Sequence, residues 1–173
     1  MCSYCGCDSI EVIGRFMREH DGIINATGRM RAAVRSGNPI AVEDARAEVS
    51  ALLWPHTSAE EVGLFRVMAR EEQYAAHIAT LCGEHQNLDE LLALVTPSDD
   101  EAMLRFDDAL RTHIDKEDNG LFPAAAVALD GAAWLEVHAT TPHAHDGVLH
   151  VHGSTGHPHD AHAHDVHADE GAA

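Results

Sequence analysis

Positive charge is scarce in this chain. Its 173 residues carry 11 Lys+Arg against 29 Asp+Glu, a formal net charge of −18. Such an acidic surface argues against a nucleic-acid backbone or an anionic membrane as partner, and it is compatible with cations. Long apolar runs are missing as well: none reaches the roughly 18 residues of a membrane span. The opening MCSYCGCDSIE lacks the basic and apolar regions of a secretory signal, so a cytoplasmic location is the expectation. Cysteine is limited to Cys2, Cys5, Cys7 and Cys82. In a reducing compartment these read as thiols or metal ligands rather than a disulfide framework. Strand-like alternation is absent. Hydrophobic residues nonetheless make up 45% of the chain, enough for one real core.

What the chain does have is helical periodicity. Residues 8–34 carry an apolar seam through Ile10, Ile13, Met17, His20, Ile24 and Thr27. Ser36-Gly37-Asn38-Pro39 stops it. Residues 39–69 place Val49, Leu52, His56, Glu60, Leu64 and Val67 on one face, with Pro55 expected to kink or split the helix just before His56. Residues 70–95 run through Tyr74, Ile78, Leu81, His85, Leu88 and Leu92. Ser98-Asp99-Asp100-Glu101 reads as a capping box for a fourth helix, with Met103, Phe106, Leu110, His113, Glu117 and Leu121 on its seam. A short apolar piece, 132–137, packs as a final turn. The expected fold is all-α, an up-down-up-down antiparallel four-helix bundle over 8–137. A Cys-rich segment, 1–7, precedes it. A His-rich tail, 138–173, follows and reads as disordered, since it holds ten of the fifteen histidines and almost no large apolar residue.

Four of the five remaining histidines, His20, His56, His85 and His113, fall on core seams, one per helix. Two are followed at i+4 by a glutamate, Glu60 and Glu117, so each imidazole and carboxylate point the same way. Buried carboxylates without partners are costly. Metal ions satisfy all six groups together, and imidazole with carboxylate suits iron, manganese or zinc. The pattern is written twice. HTSAEEVGLF, 56–65, and HIDKEDNGLF, 113–122, share H-x-x-x-E-[ED]-x-G-L-F, and each is preceded by a Glu-His step, Glu19-His20 and Glu84-His85. Two similar hairpins about a pseudo-twofold axis place three of these groups on each side of a dimetal site.

Taken together, H…HxxxE…H…HxxxE over residues 8–130 resembles the hemerythrin-like, or HHE cation-binding, family of four-helix bundles. The N-terminal cysteines and the LCGEH stretch are most similar to its actinobacterial branch. The resemblance implies a non-haem di-iron centre with bridging carboxylates, with His20, His56, Glu60, His85, His113 and Glu117 matching the ligand motif. Two departures stand out. Oxygen-carrying members have a histidine pair at i, i+4 in the third helix, where this chain has Leu81 before His85. They also use H-x-x-x-x-D in the fourth helix, a spacing that Asp118 fits, whereas Glu117 fits H-x-x-x-E and has Glu60 as its counterpart. One ligand fewer argues against reversible oxygen carriage. It leaves room for small-molecule chemistry or for another ligand such as a tyrosine or water.

Other candidates are placed around this set. Glu61 and Asp118 read as residues that back the ligands or face solvent. His77 flanks its seam, and Tyr74 lies on it as a packing residue. Cys2, Cys5 and Cys7 read either as a thiol or metal cluster or as thiols of a flexible terminus. The tail reads as a metal buffer or as a soluble polar extension.

Three functions compete. The first is a di-iron protein with two iron ions that binds, senses or reacts with oxygen, nitric oxide or peroxide, as a monomer or weak oligomer. The second is a non-enzymatic iron or transition-metal sensing, storage or delivery protein that also uses the tail. The third is a structural bundle with zinc.

Overall fold

The computed structural model describes residues 6–145 and 148–150, those from 143 on by backbone alone. After a short turn at Cys7–Ser9, helix α1 spans Glu11–Ser36 and α2 spans Pro39–Glu60. The second helix continues as a π-helical turn, Glu61–Phe65, and a last α-turn, Arg66–Met68. Helix α3 covers Glu72–Ala93 and α4 covers Asp100–Lys116. The fourth likewise continues as a π-helical turn, Glu117–Leu121, and then as Phe122–Ala128. A fifth helix, α5, spans Gly131–Thr140. Beyond it the backbone of His143–His145 pairs antiparallel with Val148–His150.

Local chemistry explains the boundaries. Gly37 takes a left-handed φ of 66° and closes α1. Asn38 caps α2 by accepting from the amides of Ile40 and Ala41, and Pro39 sits where a missing N–H costs nothing. The fourth helix starts one residue later than a Ser98 cap would give. Ser98 has φ 63° and donates its amide to the Val34 carbonyl, so Asp99 becomes the cap and accepts from the Ala102 amide at 2.9 Å. Pro55 does not split α2, which runs unbroken to Glu60. The departure from α geometry comes just after the glutamate, in the π-turn.

The all-α class holds, with one helix more than the four-helix pattern. Helix α1 packs on α2 and α4, and α3 packs on α4 and α2, which closes a ring of four. Helix α5 lies against the first π-turn. It extends three residues past the expected boundary at 137, and Thr141 beyond it is still buried. The core is two apolar clusters. One gathers Ile13, Phe16, Leu64, Phe65, Leu81 and Phe122; the other gathers Ile23, Met30, Val49, Leu88 and Phe106. On α1, α2 and α3 a buried histidine falls between the two clusters. Among the described residues no helix is long and apolar enough to cross a membrane.

Candidate metal centre

The layer between the clusters is polar and buried. His20 comes from α1, His56 and Glu60 from α2, His85 from α3, and His113 from α4, with Glu117 opening the π-turn that follows. Both glutamates are 0% exposed and the four histidines are buried. All four imidazoles turn Nε2 inward. Glu60 Oε1 lies 3.3 Å from His56 Nε2 and 3.8 Å from His20 Nε2, while its Oε2 lies 3.5 Å from His85 Nε2. Glu117 mirrors this: Oε2 lies 3.1 Å from His20 Nε2, and Oε1 lies 3.3 Å from His113 Nε2 and 3.8 Å from His85 Nε2. Each carboxylate thus gives one oxygen to each side. Two four-residue groups result, His20-His56-Glu60-Glu117 and Glu60-His85-His113-Glu117, and the donor atoms within each lie within 4.8 Å of one another.

Every Nδ1 turns outward to a carboxylate. Hydrogen bonds join His20 to Asp118 at 2.9 Å and His85 to Glu61 at 2.8 Å. Others join His56 to Glu19 at 2.9 Å and His113 to Glu84 at 3.1 Å. Such bonds fix the ring orientation and turn Nε2 inward, where its lone pair could serve a metal; the Nε2 atoms of His85 and His113 lie 3.0 Å from each other. The sequence places Asp118 and Glu61 beside their glutamates but assigns no role to Glu19 or Glu84. The signal for them was present, as the acidic half of both Glu-His steps. Cations support these two: Arg15 Nε lies 3.1 Å from Glu19, and Lys116 contacts Glu84.

The rest of the repeat has a physical reason too. An i→i+5 turn brings Phe65 in line with Glu60 and Phe122 with Glu117. Phe65 then stacks on His85 at 5.5 Å and Phe122 on His20 at 5.8 Å. Phe16 meets His56 edge-on at 5.6 Å. In each hairpin the acid after the glutamate and the terminal phenylalanine both serve the histidine of the other hairpin. Gly63 is needed for a different reason: a Cβ there would run into Thr141, 3.0 Å from its Cβ and 3.2 Å from its Cα. At Gly120 a Cβ would meet nothing within 4 Å.

Burial pushes Glu60 well above the usual carboxylate range, and the charge of Glu117 adds to the shift. Burial acts on Glu117 as well, but His113, His20 and His85 outweigh it and hold that group low. Burial alone would lower His20; Asp118 and Glu117 outweigh it and raise the imidazole to about 9. Burial takes His56 down to about 4 against the pull of Glu19. His113 is raised, because Glu117 and Glu84 overcome its burial.

The other sequence candidates lie outside this cage. His77 is exposed, and Tyr74 is half-buried against the first apolar cluster. Leu81, where a fifth histidine would stand, is fully buried in that cluster. Cys7 is buried and disulfide-bonded, so its sulfur is not a free thiolate. Cys2 and Cys5, like residues 151–173 of the tail, lie outside the described residues. Cys82 packs against the first cluster, and burial raises its thiol.

The cage fits a cation by its own accounting. Both oxygens of Glu60, both of Glu117, and the Nε2 atoms of His20 and His56 are buried with no hydrogen-bond partner. Orphaned polar atoms of this kind cost about 1–3 kcal/mol each. Six of them converging on one layer are satisfied together by positive charge at its centre. Comparison with known proteins points the same way. The family model described as the hemerythrin HHE cation binding domain matches residues 11–125. No curated protein and no solved structure matches the chain.

Proposed function

Because the chain belongs to the hemerythrin HHE cation-binding family, we propose that its cage holds two iron ions and binds, senses or reacts with oxygen, nitric oxide or peroxide. The observation that carries this reading is the pair of four-residue groups sharing Glu60 and Glu117. Bound iron supplies Lewis acidity and a one-electron redox couple. His20 and His56 would hold one ion and His85 and His113 the other, and Glu60 and Glu117 offer a carboxylate to both groups. Each group would offer four protein donor atoms, and iron held with an open position would have room for an exogenous molecule. Phe16, Phe65 and Phe122 exclude water from the imidazole faces, and the outer carboxylates keep each Nδ1 proton in place. The buried layer suits a small uncharged molecule better than a large polar substrate.

The test is anaerobic reconstitution of the full chain with iron, followed by metal analysis and absorption spectra under air and under nitric oxide. The expected result is two irons per chain, with charge-transfer bands that change with each gas. Two irons with spectra indifferent to both gases would replace this reading with iron storage or delivery. Zinc bound in preference to iron would replace it with a structural site.

A further inference from the structure

A cleft of about 780 Å³ opens between α1 and α2, outside the cage. Its inner wall is the outward side of the His56–Glu19 pair, and Leu52 and Trp54 form an apolar flank. Both flank residues are exposed, Leu52 at 40% and Trp54 at 56%. Exposed apolar side chains taken singly are ordinary, but these two line one cleft. The volume lies within the range of sites that take small organic ligands.

Charge adds a second, independent observation. Acids outnumber cations by 29 to 11 in this chain, so every cation has carboxylates to choose from. Every other Lys and Arg side chain lies within ion-pair distance of a carboxylate. Arg18 is the exception among the described residues, and it lines this cleft. A cleft whose lining includes an unpaired arginine as well as an exposed indole and leucine is complementary to a molecule with one anionic end and an apolar body.

We infer that the α1–α2 cleft binds an amphipathic monocarboxylate, its carboxylate on Arg18 and its apolar body along Leu52 and Trp54. Glu19 and Arg15 are committed to each other at 3.1 Å, which leaves Arg18 as the anion contact. The occupant would rest against the pair that orients His56. Binding itself needs no metal and stands apart from the gas reading.

Decanoate is the probe, with decanamide as its uncharged match, both below their aggregation limits. The full chain carries Trp134→Phe, so that Trp54 is the sole indole reporter. Saturable change in Trp54 emission with decanoate, and at least tenfold weaker binding of decanamide, is the expected result. Arg18→Gln should weaken decanoate binding about tenfold, the usual loss of one charge-assisted contact, with an unchanged melting curve because the residue is exposed. Equal binding of acid and amide, or indifference to Arg18→Gln, would overturn the proposal. So would emission that follows protein concentration rather than decanoate, which would mark the cleft as a contact between copies of the chain.

Discussion

A glutamine at position 60 would keep the shape of the side chain and remove its charge. Its amide can donate to the orphaned Nε2 atom of His56, which stays neutral down to about 4, and the repulsion from Glu117 disappears. Glu60→Gln should therefore stabilise the metal-free protein by about 1–3 kcal/mol, a rise of several degrees in melting temperature, while metal content falls. A drop in both would contradict the electrostatic account. Glu19→Ala and Glu84→Ala should each weaken metal binding by about 10–100-fold, as read by competition with a chelator.

The pH dependence is fixed in sign by His20. Metal takes a neutral imidazole, and without metal this one holds its proton up to about 9. Apparent affinity should thus rise with pH, by about tenfold per unit from this group alone, and level off near 9. His56, at about 4, adds no further demand above that value. Titration with manganese at three pH values checks the slope; a flat profile would sink it.

At the scale of elements, the two glycines of the repeat should behave differently. Gly63→Ala forces Thr141 away and should cost about 2–3 kcal/mol, in the range of overpacked cores. Gly120→Ala faces open space and should be neutral or slightly stabilising, by up to about 1 kcal/mol. Thermal melts of the two variants give the comparison, and Thr141→Gly should recover much of the first loss. The four long helices were legible because each carries an apolar stripe at helical spacing and ends in recognisable turn chemistry. The inward-facing cage residues were legible because histidine and glutamate share one helix at i, i+4. Helix α5 was read short, as a turn, because its docking depends on the fit of Thr141 over Gly63. Glu19 and Glu84 stayed without a role because each acts on a histidine of a different helix. The π-turns have no pattern of their own in the residues; they show only as the spacing of five from glutamate to phenylalanine.

At the scale of the molecule, a polar layer divides the core in two, and a cation in it would satisfy its orphaned atoms. Chelation should therefore lower the melting temperature steeply. A metal present at a thousandfold above its dissociation constant contributes about 4 kcal/mol per site, or about 10 °C for a chain of this size. A scan with and without chelator measures it, and coincident curves would mean that the layer is stable by itself.

Exchange between the hairpins also sets an order in time. A ribosome releases the first hairpin complete with His20, His56 and Glu60, yet His20 then lacks both the phenylalanine and the aspartate that hold it. The proposed metal site in a nascent chain would be complete only once Phe122 has cleared the exit tunnel, when about 70% of the protein is already outside.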